Sequence, residues 1–452
     1  MILLLLMMIC VQHVNSNSTA YWLEKRANLT YEIFGDKDLP TRSDPDWTIT
    51  YEDDVESIVW NISTEFVKDI NSTVFYSPKD PTTRSKDVVF FHHGHSNCLC
   101  ASNETGLPRY RCRPGCNSSD PKHDEIGKQG YSWWDLYNVS SYFHDLNYDV
   151  FIFSMPLKGV NLGPGSNDEK INDNHWWFFQ YEQKGDRPIR YFVEPVILTA
   201  NYALSKLGYE NIFMAGLSGG GWSTTIASAI DSRIKASFPI AGSVPCAMRN
   251  PTGKIPGQKW TGDDDEDFEQ SCMPLDAKIV GGDNMPGRST IAACNYTCQY
   301  LLAGLESDRY QIQILHEYDS CCFSPHGRHN EMLSYERNIR SELEFGDSNR
   351  KFKWFSFLFT FHLMTQKKNP GTGGQHGYFT VIANDHIRHE VCAQDKTIMR
   401  AGLSFYSRGV KPGDLAWDNI TCDILHENVT SSCAVDVEPG CTNPDDPFNP
   451  GC

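Results

Sequence analysis

A serine set between glycines carries the strongest chemical signal in the chain. The run Gly216-Leu217-Ser218-Gly219-Gly220 follows an apolar segment at residues 211–215 and precedes a helical pattern at residues 220–230. A serine on a tight strand-to-helix turn, where glycines allow the backbone to approach closely, presents its hydroxyl for nucleophilic attack. The glycines do not form a phosphate-binding loop, because Gly-Lys-Ser/Thr is missing. The sequence therefore predicts Ser218 as a nucleophile, with a structural glycine-rich turn as the alternative.

A nucleophilic serine needs distant partners, so the fold must bring a base and a carboxylate to it. Apolar runs bounded by turn residues alternate with helical patterns, which predicts a mostly parallel sheet with helices on both faces. The predicted strands are residues 57–63, 72–77, 87–91, 149–153, 211–215, 234–241, 311–315 and 377–383. The predicted helices are residues 133–146, 189–207 and 220–230, together with a helix from Glu390 onward.

Two motifs make the chain resemble the α/β-hydrolase superfamily over residues 55–402. One is the serine turn at residues 216–220, and the other is the strand at 87–91 followed by His92-His93-Gly94-His95. The resemblance implies an α/β-hydrolase fold. It also implies a nucleophile, an acid and a histidine base in that order along the chain.

The same resemblance implies the oxyanion hole. Its donors would be the backbone N–H groups of His95 and of Gly219, the residue after the nucleophile. The side chains of His92 and His93 would then orient the loop, and incidental histidines at a strand end are the alternative reading.

The acid is expected after the strand at 311–315. Asp319 lies at the end of that strand in Leu315-His-Glu-Tyr-Asp-Ser-Cys-Cys322, which matches the chain order serine, acid, histidine. Glu317 is the alternate acid, and an acidic turn residue without a chemical role is the third interpretation.

The base is expected after the strand at 377–383. His389, in His389-Glu-Val-Cys392, resembles the family's pattern before the last helix better than His386, the alternate base. Other histidines at 326, 329 and 376 also remain candidates. The 70 residues between Asp319 and His389 require an insertion that loops out of the fold.

Composition and charge exclude several classes of protein. The 452 residues are 40% hydrophobic and 12% aromatic, which is enough for a large core and excludes a disordered or collagen-like chain. A net charge of −17 would repel nucleic acid and an anionic membrane face. We expect one large domain at residues 17–411, with a Cys-rich insertion at about 98–130 and a Cys/Pro-rich extension at 412–452.

Secretion is predicted by the first residues and by glycosylation signals. Residues 1–16 read as a cleaved signal peptide, and no later run has the roughly 18 apolar residues of a transmembrane anchor. Ten Asn-X-Ser/Thr sequons indicate an extracellular glycoprotein. They lie at Asn17, Asn28, Asn61, Asn71, Asn103, Asn117, Asn138, Asn295, Asn419 and Asn428.

Cysteine chemistry points to disulfides rather than to metal. Removal of Cys10 with the signal peptide leaves 15 of the 16 cysteines. Because this number is odd, one thiol remains free or forms a disulfide with a partner chain. Cys98, Cys100, Cys112 and Cys116 are expected to form two disulfides rather than a zinc site. The acidic run at 263–269 reads as a solvated loop, with weak calcium binding as its alternative.

The leading hypothesis is a secreted serine hydrolase that cleaves a carboxylic ester through a Ser218, Asp319 and His389 triad without metal or organic cofactor. A peptidase or amidase with the same triad is the nearest alternative, because the acylation chemistry is shared. A secreted acidic extracellular-matrix or binding protein that keeps the hydrolase scaffold without turnover is the alternative from a different class.

Overall fold

A computed structural model gives the architecture of the chain. It describes residues 20–50, 55–65, 67–68, 70–80, 82–94, 99–101, 108–110, 136–158, 161, 175, 178, 181–182, 184–245, 248, 289–316, 319, 329–345, 377–384 and 391–407. The predicted signal peptide, the acidic run at 263–269 and the extension at 412–452 lie outside these residues. Of the Cys-rich insertion, only two short strands are described.

Most strands belong to one sheet. The strands are β1 (Trp47–Thr50), β2 (Glu56–Ile62), β3 (Ile70–Ser77), β4 (Asp87–His92), β5 (Leu99–Ala101), β6 (Pro108–Tyr110), β7 (Asp149–Phe153), β8 (Asn211–Leu217), β9 (Ile234–Ile240), β10 (Tyr310–His316) and β11 (Tyr378–Asn384). Nine of them form the order β1-β2-β3-β7-β4-β8-β9-β10-β11, and β5 and β6 form a separate hairpin. Every strand predicted from the sequence is present, with ends that differ by at most two residues.

Eight helices are described. They are α1 (residues 20–34), α2 (Leu136–Asp145), α3 (Arg190–Tyr202), α4 (Gly219–Ile230), α5 (Ser289–Ala293), α6 (Tyr296–Ala303), α7 (His329–Phe345) and α8 (Ala393–Ser407). A π-helical turn at Ala203–Leu207 extends α3, and Gly208 ends it in the left-handed conformation with φ 80°. None of the described helices combines the length and the apolarity needed to cross a membrane.

The strand pairing changes once across the sheet, from antiparallel to parallel. β1, β2, β3 and β7 pair antiparallel, whereas β7, β4, β8, β9, β10 and β11 pair parallel. The six parallel strands therefore place their carboxyl ends at one edge of the sheet, the edge where ligands of open α/β sheets bind. The predicted mostly parallel sheet is confirmed.

Helices cover both faces of the sheet. Alternate residues of each strand point to opposite faces, so neighbouring residues pack against different helices. Phe90 of β4 packs in a cluster with residues of α1, α3, α4, α6 and α7. Its neighbour Phe91 packs on the other side with residues of α2 and α8. The predicted two-faced arrangement is confirmed.

Helix α1 is not among the elements predicted from the sequence. A buried arginine, Arg26, interrupts its apolar pattern. Four residues of α1 face the core at helical spacing: Trp22, Arg26, Leu29 and Ile33. Because the second of them is charged, the sequence does not show a continuous apolar helix face. Arg26 is satisfied there by the carbonyl oxygens of Ala229 (2.9 Å) and Leu302 (2.8 Å) and by the carboxylate of Glu306.

Arg309 completes this buried charge cluster from the start of β10. Its side chain is fully buried and donates to the carbonyl oxygens of Ile234 (2.8 Å) and Leu302 (3.0 Å) and to Glu306 (2.6 Å). One carboxylate thus holds two guanidinium groups, which fixes α1 to the segment that precedes β10. Burial alone would raise the pKa of Glu306, but the hydrogen bonds and charges of the two arginines outweigh it and lower the pKa to about 2.

We expect Glu306→Gln to lower the free energy of unfolding by about 3 kcal/mol at neutral pH. The folded-state pKa of Glu306 is about 2 against an ordinary 4.5, so this stabilisation is complete above about pH 4.5 and is lost as the pH falls toward 2. Urea denaturation of both proteins across that range measures the difference. A gap between variant and wild type that stays constant with pH contradicts the assignment.

Candidate active site

The turn after β8 holds Ser218 in a strained backbone conformation. Its φ is 58° and its ψ is −129°, a combination that favours glycine and costs a serine on the order of 1–3 kcal/mol. The N–H of Ser218 donates to the carbonyl oxygen of Ile240 (2.9 Å), and its own carbonyl accepts from the N–H of Trp222 (2.9 Å) as the first turn of α4. Ser218 therefore lies between the carboxyl end of β8 and the amino end of α4, with 5% of its surface exposed.

Glycines allow this turn to pack against the loop that follows β4. A methyl group added to Gly220 would overlap the carbonyl oxygen of His92, and one added to Gly94 would lie 2.6 Å from Cβ of Ser218. Neither contact tolerates a side chain. The predicted nucleophile and the predicted oxyanion loop are therefore in direct backbone contact.

The loop after β4 is held by its two histidines. His92 donates from Nδ1 to the carbonyl oxygen of His93 (2.7 Å), and its ring stacks on Phe153 at 5.9 Å between centroids. The N–H of His93 donates to the carbonyl oxygen of Phe153 (2.9 Å). The side chain of His92 and the backbone N–H of His93 therefore hold the start of this loop.

His93 is unsuited to acid–base chemistry. Its ring is buried edge-on against Phe91, and burial, with a smaller effect of neighbouring His92, lowers its pKa to about 3. The imidazole is therefore neutral at physiological pH.

One of the two predicted oxyanion donors is described. Gly219 is the first residue of α4, and the first N–H groups of a helix have no partner within the helix, so they are suited to an anionic oxygen. His95 lies outside the described residues, as does Glu317, the alternate acid.

Asp319 lies just beyond the carboxyl end of β10. Its N–H donates to the carbonyl oxygen of His316 (3.2 Å), which closes a tight turn, and its side chain is fully buried. One carboxylate oxygen lies 4.0 Å from Nδ1 of His316. The predicted acid is therefore at the same edge of the sheet as Ser218.

His389 and His386 lie outside the described residues, but both ends of the segment that carries them are described. β11 ends at Asn384, directly beside His316 in the sheet register, and α8 begins at Ala393. The other candidates at 326 and 376 are also outside the described residues, and the backbone of His329 begins α7.

A buried pair at this edge, His316 and Asp395, is not among the site residues predicted from the sequence. Nε2 of His316 lies 3.0 Å from Oδ2 of Asp395, and neither side chain is exposed. The same oxygen accepts from the N–H of Cys392 (2.8 Å), so Asp395 also caps the amino end of α8. Its position three residues after Cys392, the residue that precedes the helix, is the local signal that could have indicated the cap.

Cys392 adds sulfur to this cluster. Its Sγ, a ring nitrogen of His316 and a carboxylate oxygen of Asp395 all lie within 4.8 Å of one another, a donor set that a metal ion can use. The hydrogen bonds of Asp395 to His316 and to the helix end account for this arrangement without an ion. Burial, followed by the charge of Asp395, raises the pKa of the Cys392 thiol well above its ordinary range, which disfavours the thiolate that binds metals.

Five of the ten sequons fall in described elements. Asn28 lies in α1 and Asn138 in α2, while Asn61 and Asn71 face each other across β2 and β3, with Nδ2 of Asn61 3.2 Å from Oδ1 of Asn71. Asn295 is exposed and caps α6 by accepting from the N–H of Cys298 (3.0 Å). The remaining sequons, Asn17, Asn103, Asn117, Asn419 and Asn428, lie outside the described residues.

Comparison with known proteins gives structural likenesses only. No family model matches the chain, and no curated protein matches it. Est1E from Butyrivibrio proteoclasticus is 12% identical, with 77% of this chain and 98% of that chain covered and a TM-score of 0.36. An acylaminoacyl peptidase from Pyrococcus horikoshii is 10% identical (82% and 44% covered, TM-score 0.42). A puromycin-hydrolyzing peptidase from Mycobacterium tuberculosis is 13% identical (80% and 40% covered, TM-score 0.40).

The fold assignment follows from the chain's own geometry. The parallel strands carry helices on both faces, and the strand-turn-helix at Ser218 opens at the carboxyl edge of the sheet. This is the α/β-hydrolase fold that the sequence resemblance implies, and it is confirmed.

The strain at Ser218 gives a prediction about stability. We expect Ser218→Gly to raise the free energy of unfolding by roughly 1 kcal/mol over Ser218→Ala, because glycine adopts φ 58° without strain, although it adds entropy to the unfolded chain. Ser218→Ala keeps the strain and should unfold close to wild type. Urea denaturation of the three proteins measures the order, and an alanine variant as stable as the glycine variant would show that the turn is relaxed.

Proposed function

We propose that the protein is a secreted serine hydrolase that cleaves a carboxylic ester through an acyl-enzyme at Ser218. The observation that carries the proposal is the backbone of Ser218, held at φ 58° between β8 and α4 in contact with the loop after β4. Strain of this kind persists where the surrounding structure enforces it, and it concentrates at active sites. A glycine would occupy the turn at lower cost, so the presence of a hydroxyl there argues for a chemical role.

The proposed reaction uses the hydroxyl in two half-reactions. Oγ of Ser218 bonds to the ester carbonyl carbon while its proton passes to the histidine base, and the carbonyl electron pair moves onto oxygen. Collapse of this oxyanion breaks the bond to the alcohol, which takes the proton from the imidazolium. Water then attacks the acyl-enzyme in the same way, and the products are a carboxylic acid and the original serine.

The oxyanion would be held by backbone donors that are fixed before the substrate arrives. The N–H of Gly219 begins α4, where the helix dipole also favours negative charge. In the proposal the N–H of His95 is the second donor. A well-aimed donor of this kind stabilises the transition state by about 3–4 kcal/mol.

Asp319 would hold the base in the tautomer that accepts the serine proton. It follows β10 and is fully buried, where a carboxylate keeps a fixed geometry and acts through a low dielectric. In the proposal His389 is the base and His386 the alternate, and both belong to the segment that runs from the end of β11 to the start of α8.

Secretion is part of the proposal and has local support. Cys294 and Cys298 form a disulfide, a bond that persists in oxidising compartments. Asn295 lies between them, exposed, and its cap uses Oδ1 while a glycan attaches at Nδ2. Glycosylation at this position is therefore compatible with the cap.

A peptidase or amidase shares every step of this acylation. Matched ester and anilide substrates with the same acyl group separate the two activities, because only the leaving group differs. A scaffold without turnover, such as an extracellular binding protein, would react with neither.

Covalent labelling tests the nucleophile directly. We expect a fluorophosphonate probe to modify Ser218 in the wild-type protein and to leave Ser218→Ala unlabelled, as mapped by mass spectrometry, because only a serine beside a base is activated. Ser223→Ala is the matched control: Ser223 is fully buried in α4, five residues after Ser218, and should be dispensable for labelling. Labelling elsewhere with Ser218 untouched rejects the site.

The identity of the base is tested by two alanine variants. We expect His389→Ala to lower kcat for p-nitrophenyl acetate by about 10⁴-fold, because the serine proton then has no acceptor. His386→Ala should cost far less, and circular dichroism checks that both variants fold. The reverse order assigns the base to His386, and two active variants move the search to the histidines at 326, 329 and 376.

A further inference from the structure

We propose that His316 and Asp395 form a buried clamp that positions the acid and the base of the triad relative to each other. The two side chains are hydrogen-bonded, and we refer to them as the His316–Asp395 clamp. The inference rests on the proposed function, and it assigns both residues a positioning role rather than contact with the substrate.

The clamp joins two elements that are far apart in sequence. His316 is the last residue of β10, and Asp395 lies in the first turn of α8, 79 residues later. Their side chains meet at 3.0 Å on the face of the sheet that α8 covers, and both are fully buried. A hydrogen bond in such a place is short, directional and shielded from competing water.

His316 controls the acid through the chain. The carbonyl oxygen of His316 accepts from the N–H of Asp319, and its Nδ1 lies 4.0 Å from the Asp319 carboxylate. A displacement of the His316 backbone at the end of β10 would move Asp319 through this backbone hydrogen bond. The position of Asp319 is therefore set by the residue that forms the clamp.

His316 also fixes both ends of the segment that carries the base. Asn384, just before this segment, pairs with His316 in the sheet. Cys392, just after it, donates its N–H to the oxygen of Asp395 that contacts His316. The segment that carries the base therefore begins beside the backbone of His316 and ends at the Asp395 carboxylate that the His316 imidazole contacts, so acid and base share one reference point.

Stability alone does not explain a pair of this kind. Burying a carboxylate and an imidazole is costly, and well-packed apolar residues of similar volume often give equal or greater stability. An apolar pair, unlike a hydrogen bond, does not fix the relative orientation of the two side chains. The clamp sets the distance between two loops whose side chains must meet to within a fraction of an ångström for proton transfer.

The proposal predicts a loss of turnover rather than of substrate binding. A displacement of about 1 Å in a catalytic group can cost about 100-fold in rate. We therefore expect a broken clamp to lower kcat and the rate of fluorophosphonate labelling by about 100-fold, with KM for p-nitrophenyl acetate changed by roughly 3-fold at most.

Two variants of His316, whose side chains differ by one methylene group, test whether the hydrogen bond to Asp395 is needed for turnover. In His316→Gln the side-chain amide nitrogen reaches the position of Nε2 and can still donate to Asp395. In His316→Asn the side chain is too short for its amide nitrogen to reach Asp395. We expect the glutamine variant to keep kcat within about 5-fold of wild type and the asparagine variant to lose about 100-fold. Rates are expressed per site titrated with the fluorophosphonate, so that unfolded protein does not contribute.

Tyr209→Phe is the matched control for the loss of a buried hydrogen bond. The Tyr209 hydroxyl donates to Asp149 (2.6 Å) at the amino end of β7, the opposite edge of the sheet. We expect this variant to melt at a lower temperature with unchanged kcat. A general loss of rigidity would instead lower kcat in the control and in the clamp variants alike, and would overturn the proposal.

Variants of Asp395 give a second, independent comparison. Asp395→Asn can present an oxygen to both His316 and Cys392 and should keep most of the activity, whereas Asp395→Ala loses both contacts and should behave like His316→Asn. These variants decide the question if a His316 variant fails to fold. Equal kcat values for the paired variants at either position would falsify the clamp.

The two proposals fail in different ways. A wild-type protein that the fluorophosphonate does not label overturns the proposed function and the clamp together. A labelled wild type together with His316→Asn at the wild-type labelling rate overturns the clamp alone.

Discussion

The site depends on a place where two stretches of backbone touch with no room for a side chain. The turn at Ser218 and the loop after β4 come together at Gly220 and Gly94, and a single methyl group at either glycine would push them apart. Ser218 lies at this contact in its strained conformation, and the first residues of α4 lie beside the loop. The parallel strands supply the two ends that must meet, because β4 and β8 are neighbours in the sheet. The sheet, the glycines and the strain are thus parts of one arrangement.

Much of this could be predicted because the signals are local. A continuous apolar run, a set of glycines and a helical pattern lie within about twenty residues around Ser218, and each needs only its immediate neighbours to be interpreted. The central strands are equally clear, since strands buried on both faces are nearly continuous apolar runs, as in β7, where four apolar residues follow Asp149. Asp319 could be located because it follows such a strand.

Helix α1 and the His316–Asp395 pair could not be predicted, for one physical reason. In both, a charged or titratable side chain is buried by a partner more than 70 residues away in sequence, so its local pattern suggests an exposed residue. Arg26 interrupts an apolar stripe until Glu306 is known to meet it. His316 reads as the polar end of a strand until α8 is known to cover it. The sequence pattern of a single helix or strand does not indicate such a pair, because the two residues meet only when distant elements pack together in the folded protein.

The junction between α1 and the start of β10 also has a consequence for how the chain folds during its synthesis. Arg26 and Glu306 are 280 residues apart, and a ribosome adding about 5–20 residues per second needs tens of seconds to produce the second after the first. Throughout that interval Arg26 lacks the carboxylate that pairs with it, although the residues of α3 and α4 beside which Leu29 and Ile33 pack are already made. The contact between α1 and the segment before β10 is therefore completed only after strands β1 to β9 have been synthesised.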